Sequence, residues 1–320
     1  MEENKYAFVW LLMIGEDYLP GVLVSAQSFR RVETNADLVV MVTPDISRTS
    51  KKILSGMFNA VIDVPYIEVK TKPIKTQKQY KIYNSWISKS YTKWNILGLV
   101  NYFKVCFIDA DLVALKNIDE LFDLSIPAAV FKSAYTRLID PYKNPKHGSV
   151  IDKSQIWQGL TKPSFVATAY IIVLPTSKKY LDGLINMITT NQPYGFENCY
   201  YGHDEQSISH YMSCYKEGPQ LNWTAIDPMY GFNIGKYDML KKGQAPKVIH
   251  YINKPKPWVI ENIWPDLDIW WSLARSMQVN WSLLNIHHKF LTDKNSSVCY
   301  ICKKFRPEVD PNHEFLACPE

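Results

Sequence analysis

A chain of 320 residues with 47% apolar and 21% charged side chains can bury a large core, which excludes a disordered or low-complexity protein. Thirty-six basic against 31 acidic residues leave a net charge of only +5, and no block of Lys or Arg dominates a segment, so charge gives no support for a nucleic-acid partner. No run approaches the ~20 apolar residues needed to span a bilayer. The start, Met1-Glu2-Glu3-Asn4-Lys5, is acidic where a secretory leader is basic. The apolar stretch behind it stops at Gly15-Glu16-Asp17 and reads as a first strand, so a soluble cytoplasmic protein is expected. Six cysteines, Cys106, Cys199, Cys214, Cys299, Cys302 and Cys318, are too scattered for a disulfide scaffold, and the sequons at Asn222, Asn280 and Asn295 have no consequence in that compartment.

From the amino end, period-two and period-3.6 patterns alternate. Residues 6–13 read as a strand, 18–30 as an amphipathic helix, 37–42 as a strand, 47–58 as a helix capped by Asp45 or Ser47, and 60–64 as a third strand. Such alternation means βαβ units and a mostly parallel sheet. Residues 70–81, basic and carrying Pro73, read as a surface loop, followed by a helix over about 91–101. Then comes Val105-Cys106-Phe107-Ile108-Asp109-Ala110-Asp111, a buried strand ending in two carboxylates one residue apart. Open α/β sheets bind ligands at the carboxyl ends of their strands. Two acids in such a place can share one hard cation, which in turn grips phosphate oxygens. The plain alternative is a solvated turn, although a turn needs one acid rather than two beside an apolar core. A phosphatase with an aspartyl nucleophile would want Thr two residues past the second acid, where Val113 stands.

Further along, 127–131 is a short strand and 135–159, rich in Pro, Lys and Gly, a mobile loop. Residues 165–174 read as a strand, 176–190 as a helix, 204–212 as a helix with an acidic first turn, and 247–252 as a last strand that carries His250. A neutral imidazole there can complete an Asp-Asp-His set suited to Mn²⁺, although a lone His in a strand is more often a packed one. Lys256, six residues on and followed by Pro257-Trp258, would place a cation near a diphosphate, with Trp258 pinning the loop. An aromatic helix over 267–277 reads as core packing rather than a carbohydrate platform. In the polar tail, Cys299, Cys302, His313 and Cys318 form a C-x2-C, x10, H-x4-C arrangement that can hold a structural Zn²⁺ or stay as free residues.

Six ordered motifs now carry a family resemblance: Leu38-Val39-Val40-Met41-Val42-Thr43-Pro44, Thr92-Lys93-Trp94, Phe107-Ile108-Asp109-Ala110-Asp111, Asn117-Ile118-Asp119-Glu120-Leu121-Phe122, Asp204-Glu205-Gln206 and the loop from His250 to Trp258. The chain resembles the glycogenin-type retaining glycosyltransferases of family 8, and within them a glycogenin-like branch of large insect DNA viruses; for a viral chain the host cytoplasm would be the location. The resemblance implies an α/β GT-A fold, Rossmann-like with a mostly parallel sheet, spanning residues 1–265. A nucleotide-binding half covers 1–123, an acceptor-side half 124–265, and a helix and tail 266–320.

It further implies a metal-dependent hexosyltransferase that uses UDP-glucose or UDP-galactose with Mn²⁺ or Mg²⁺. Asp109, Asp111 and His250 match the metal ligands, and Lys256 matches the lysine on the donor phosphates. Leu11, Leu12 and Tyr18 fall where the family holds uridine, and Ala110 and Asn253 lie in the donor-binding loops. Lys93 matches a lysine near the donor sugar, and Glu205 and Gln206, with Asp204 adjacent, match an acid-Gln pair at its reacting face. The acceptor, whether protein, polysaccharide or small polyol, is not named by the sequence, and a homodimer is compatible with it. Two departures stand out. Ala167-Thr168-Ala169 replaces Asn-Ser-Gly and removes an amide that would bond the sugar, and Asn253 replaces a glycine. They keep open a rival reading, a protein of the same fold that binds nucleotide-sugar or a partner without transfer.

Overall fold

The structure, a computed structural model, describes residues 5–73, 77–133, 145–161, 165–196, 203–235, 240, 244–259, 265–277 and 279. In chain order its elements are β1 (Tyr6–Leu12), α1 (Leu19–Arg31), β2 (Asp37–Val42), α2 (Arg48–Ser55), β3 (Ala60–Asp63), α3 (Gln77–Tyr83), β4 (Lys104–Ile108) and β5 (Leu112–Ala114). They continue with β6 (Ala128–Ser133), β7 (Val150–Ile151), α4 (Lys153–Thr161), β8 (Phe165–Pro175), α5 (Lys178–Thr190), α6 (His203–Ser213), β9 (Trp223–Ile226), β10 (Phe232–Asn233), β11 (Val248–His250) and α7 (Pro265–Ser276).

Alternation within each strand builds two cores. Phe8, Trp10 and Leu12 of β1 join Leu38, Val40 and Val42 of β2 on the face covered by α1, whereas Ala7, Val9, Val39 and Met41 belong to the cluster on the other face. Because both faces are covered, these strands read as continuous apolar runs. Full burial of a side chain such as Phe8 or Leu12 contributes about 1.5–3 kcal/mol. Helix α2 starts where Ser47 accepts a hydrogen bond from the Ser50 amide, which resolves the choice between Asp45 and Ser47 as its cap.

One sheet of eight strands has the order β3-β2-β1-β4-β8-β6-β9-β7. It is parallel through β3, β2, β1 and β4 and between β6 and β9, and antiparallel where β8 or β7 takes part. A small second sheet, β10-β11-β5, stands at its carboxyl edge.

Several expectations need correcting. Residues 70–81 are not wholly loop: α3 begins at Gln77, and Thr71 bridges to Tyr194. The helix placed over 91–101 is a 3-10 run, Ile87–Gly98. Residues 145–159, within the stretch read as a mobile loop, hold β7 and most of α4, which packs against α6 and β8. Strands β5, β9 and β10 were not read from the sequence. They are two to four residues long, shorter than a window in which alternation can be counted. Trp270 and Trp271 are buried, as the core-packing reading required. Among the described residues no helix is long and apolar enough to cross a membrane.

Candidate active site

The two aspartates sit in the turn between the two sheets. Strand β4 ends at Ile108, the Asp109 amide donates to the Tyr170 carbonyl of β8 at 2.9 Å, and the Leu112 amide closes the turn on the Asp109 carbonyl at 3.2 Å. Strand β5 then pairs antiparallel with β11, with Leu112 opposite His250, and the Tyr251 amide donates to the Asp111 carbonyl at 2.9 Å. That register brings a histidine 139 positions away in sequence to the acid pair. Ligand atoms of Asp109, Asp111 and His250 all lie within 4.8 Å of one another.

Lys256 completes the cluster. Its buried Nζ donates to Asp111 Oδ2 at 2.5 Å, to the Tyr251 carbonyl at 2.8 Å and to the Ile252 carbonyl at 3.2 Å, which uses all three of its N–H groups. His250 Nε2 lies 3.4 Å from Asp111 Oδ1, and its Nδ1 is buried with no hydrogen-bond partner. Burial alone would raise the Asp111 pKa, but His250 and Lys256 instead hold it well below the usual carboxylate range. Burial pushes Asp109 the other way, up to about 6: Lys93 and His250 pull it down, but the Asp111 charge adds to the rise.

A second Lys-Asp pair lies on the far side of Asp109. Lys93 Nζ is 2.8 Å from Asp204 Oδ2, both nearly buried, and its ammonium lies 5.3 Å from the Phe107 ring centroid and 5.8 Å from that of Trp94. Burial works against the charged lysine, yet Asp204 and Asp109 raise its pKa. Glu205 accepts from the Ala169 amide at 3.2 Å, and Gln206, fully buried, accepts from the Phe196 amide at 2.9 Å. Four carboxylates, Asp109, Asp111, Asp204 and Glu205, thus surround two ammonium groups. Counting the carboxylates and ammonium groups alone, the cluster carries an excess of two negative charges, which one divalent cation would balance. The mix of carboxylate oxygens and imidazole nitrogen also suits Mn²⁺ or Mg²⁺, so the residues fit such an ion.

The other expected residues are placed less uniformly. Tyr18 is about a third exposed and edge-on to Trp258 at 5.4 Å; burial and the charges of Asp111 and Asp109 raise its pKa to about 12. Leu12 is fully buried in the core, its carbonyl accepting from the Thr43 amide at 3.2 Å, whereas Leu11 is half-buried. Asn253 is exposed in the loop after β11. Trp258 pins that loop, as its position suggested: its Nε1 donates to the Asp17 carbonyl at 2.8 Å and its ring packs on Trp270. The Asn117 to Phe122 motif is structural: the Asp119 carboxylate binds the Thr34 hydroxyl and the Asn35 amide, clamping the turn after α1. Cys299, Cys302, His313 and Cys318 lie outside the described residues.

Sequence reasoning passed over Gly21 and Tyr170. A Cβ on Gly21 would meet the Ala110 carbonyl at 2.7 Å and the Trp258 ring at 2.6 Å, so its absence lets the first turn of α1 touch both ligand loops. A lone Gly in an apolar helical pattern is the signal that was available. The Tyr170 ring lies 4.7 Å from that of His250 and backs it from β8, a contact that no local pattern announces.

The sequence profile of glycosyl transferase family 8 matches residues 10–160. That match takes in just under half of the chain. Uncharacterized protein R707 of Acanthamoeba polyphaga mimivirus, a large DNA virus, is 26% identical over 259 residues, covering 80% of this chain and 83% of that one. Human glycogenin-2 is 36% identical over 128 residues, 38% of this chain; the match takes in only 24% of glycogenin-2. Among solved structures, the galactosyltransferase LgtC in complex with donor and acceptor sugar analogs covers 86% of this chain and 99% of its own at a TM-score of 0.58 and 13% identity, which shows a shared GT-A-like fold. The matched residues contain the whole acid turn and Lys93, while His250, Lys256 and Asp204 come from beyond them.

Proposed function

We propose that the chain is a retaining hexosyltransferase that moves glucose or galactose from a UDP-sugar to an acceptor, with Mn²⁺ or Mg²⁺ held by Asp109, Asp111 and His250. The observation that carries the reading is the convergence of these three side chains with Lys256 at the carboxyl edge of the sheet. A divalent ion held there would bind the diphosphate oxygens and offset the charge that develops on the leaving group. Lys256 would exchange one of its bonds, to Asp111 or a loop carbonyl, for a donor phosphate oxygen, and so supply positive charge where the sugar-phosphate bond breaks. Tyr18 offers a partly exposed ring beside Trp258 for the base. Lys93 and Asp204, paired with each other, and Glu205, tied to the Ala169 amide, form the wall on the sugar side.

Retention follows if the acceptor hydroxyl attacks from the face the diphosphate leaves, its proton passing to the departing phosphate oxygen. In a double displacement, a carboxylate would instead attack the anomeric carbon, and Asp204 or Glu205 would be that group. Asp204 is the weaker nucleophile of the two because its charge is already committed to Lys93.

Purified protein incubated with UDP-glucose or UDP-galactose and Mn²⁺ should release UDP, and mass spectrometry should reveal hexose on an acceptor or on the protein itself. Donor binding without release under any acceptor would sink the transfer reading and leave a nucleotide-sugar-binding protein.

A further inference from the structure

The turn from β1 to α1 is held in a conformation its sequence does not favour. Ile14 has φ of 58° and Gly15 of 79°. Glycine accepts such an angle freely, whereas a β-branched residue there is a true outlier that persists only when its surroundings enforce it. The enforcing group is Asp45. The Gly15 amide donates to Asp45 Oδ2 at 2.6 Å, and the Ile14 amide donates at 3.0 Å to the Tyr66 hydroxyl, which itself donates to Asp45 Oδ1 at 2.7 Å. The Thr43 hydroxyl gives Oδ1 a further bond at 2.6 Å. Two successive loop amides are thus tied, one directly and one through Tyr66, to a single carboxylate on the β2 to α2 connection. Nothing in the acid cluster uses Asp45.

The same turn leads to the residues beside the acid cluster. Its far end is fastened by Trp258 Nε1 on the Asp17 carbonyl, and its next residue is Tyr18. Ile14 is 41% exposed, so the strain serves no core contact.

We propose that Asp45, acting through Tyr66 and the Ile14 and Gly15 amides, is a positioning residue for the nucleoside part of the donor: it sets the backbone of the turn that presents Tyr18. The proposal rests on the UDP-sugar reading. The effect is through backbone conformation, so the Ile14 side chain itself is not required.

The test is calorimetric titration with UDP and, separately, with inorganic pyrophosphate, both with Mn²⁺, of the wild type, Asp45→Asn, Tyr66→Phe, Ile14→Gly and the Asp45→Asn/Ile14→Gly double variant, alongside their melting temperatures. Asp45→Asn should weaken UDP binding about tenfold, the size of one lost charge-assisted hydrogen bond, and leave pyrophosphate binding unchanged. Tyr66→Phe should act in the same direction. Ile14→Gly alone should bind UDP normally, and in the double variant glycine, free to take the positive angle, should restore most of the lost affinity. Equal UDP affinity for Asp45→Asn and wild type would overturn the proposal, as would a loss shared by pyrophosphate or one that glycine does not recover. A wild type that binds no UDP would remove the transfer reading and this proposal with it, an outcome told apart by the unmutated protein.

Discussion

Two buried Lys-Asp pairs flank Asp109, and they are built differently. Lys256 is 2.5 Å from Asp111 and gives its other two N–H groups to carbonyls of its own loop, so it locks the segment after β11 around the acid turn. Lys93 is 2.8 Å from Asp204 and lies near two aromatic rings, so it joins the 3-10 run before β4 to the first turn of α6. The first pair is a local clasp whose bonds can be traded for those of a ligand. The second is a long-range charge balance in which each partner, once buried, depends on the other. Loss of a partner should therefore show itself in turnover at the first site and in stability at the second.

The strongest test of that contrast is Asp111→Asn, which removes a metal-type ligand and the partner of Lys256. It should lower Mn²⁺-dependent UDP release by about a thousandfold with the fold retained by circular dichroism; near-normal turnover would refute the assignment. Lys93→Met should instead destabilise by about 3–5 kcal/mol in urea unfolding by leaving Asp204 buried and uncompensated, and adding Asp204→Asn should recover part of that loss. If the two single losses simply added, the pair would not be coupled. Lys256→Ala should lower kcat about a hundredfold while changing donor affinity little, because its charge matters most as the diphosphate leaves. Equal losses in kcat and affinity would mark it as a binding group only.

Smaller effects probe the packing around the clasp. Gly21→Ala forces a methyl against the Ala110 carbonyl and Trp258, and should cost about 1–3 kcal/mol of stability together with weaker Mn²⁺ binding. Away from both pairs, burial lowers the His210 pKa from 6.5 to about 4. The unfolded chain therefore takes up this proton first, so the stability from neutral His210 is complete above pH 6.5 and is lost as pH falls from 6.5 toward 4. His210→Gln should flatten that part of a thermal-unfolding profile.

Much of the fold was legible because β1, β2, β4 and β8 are long apolar runs and α1, α5 and α6 carry clear helical patterns. The misreadings fall where elements are short or polar: β7 and α4 lie in a stretch rich in Pro, Lys and Gly, and β5, β9 and β10 are too short for periodicity to register. Of the site, the acid turn could be read because two carboxylates at the end of a buried strand are locally anomalous. Gln206 shows the converse: its place in a motif suggested a ligand contact, while its side chain is fully buried and accepts from the Phe196 amide. Motif position reports the residue type, and only packing reports which way it turns.

By itself the sequence determined the parallel strands of the amino-terminal half, the family resemblance and Asp109, Asp111, His250 and Lys256 as residues to bring together, because strand periodicity and residue chemistry are local properties. Tertiary structure decided what those residues face. The register of β5 on β11 carries His250 to Asp111, Gly21 admits the helix that presses on the turn, and Asp45 holds a turn 30 residues earlier in an angle Ile14 would not adopt unaided. Each is a contact between segments distant in the chain, which residue type and periodicity do not specify.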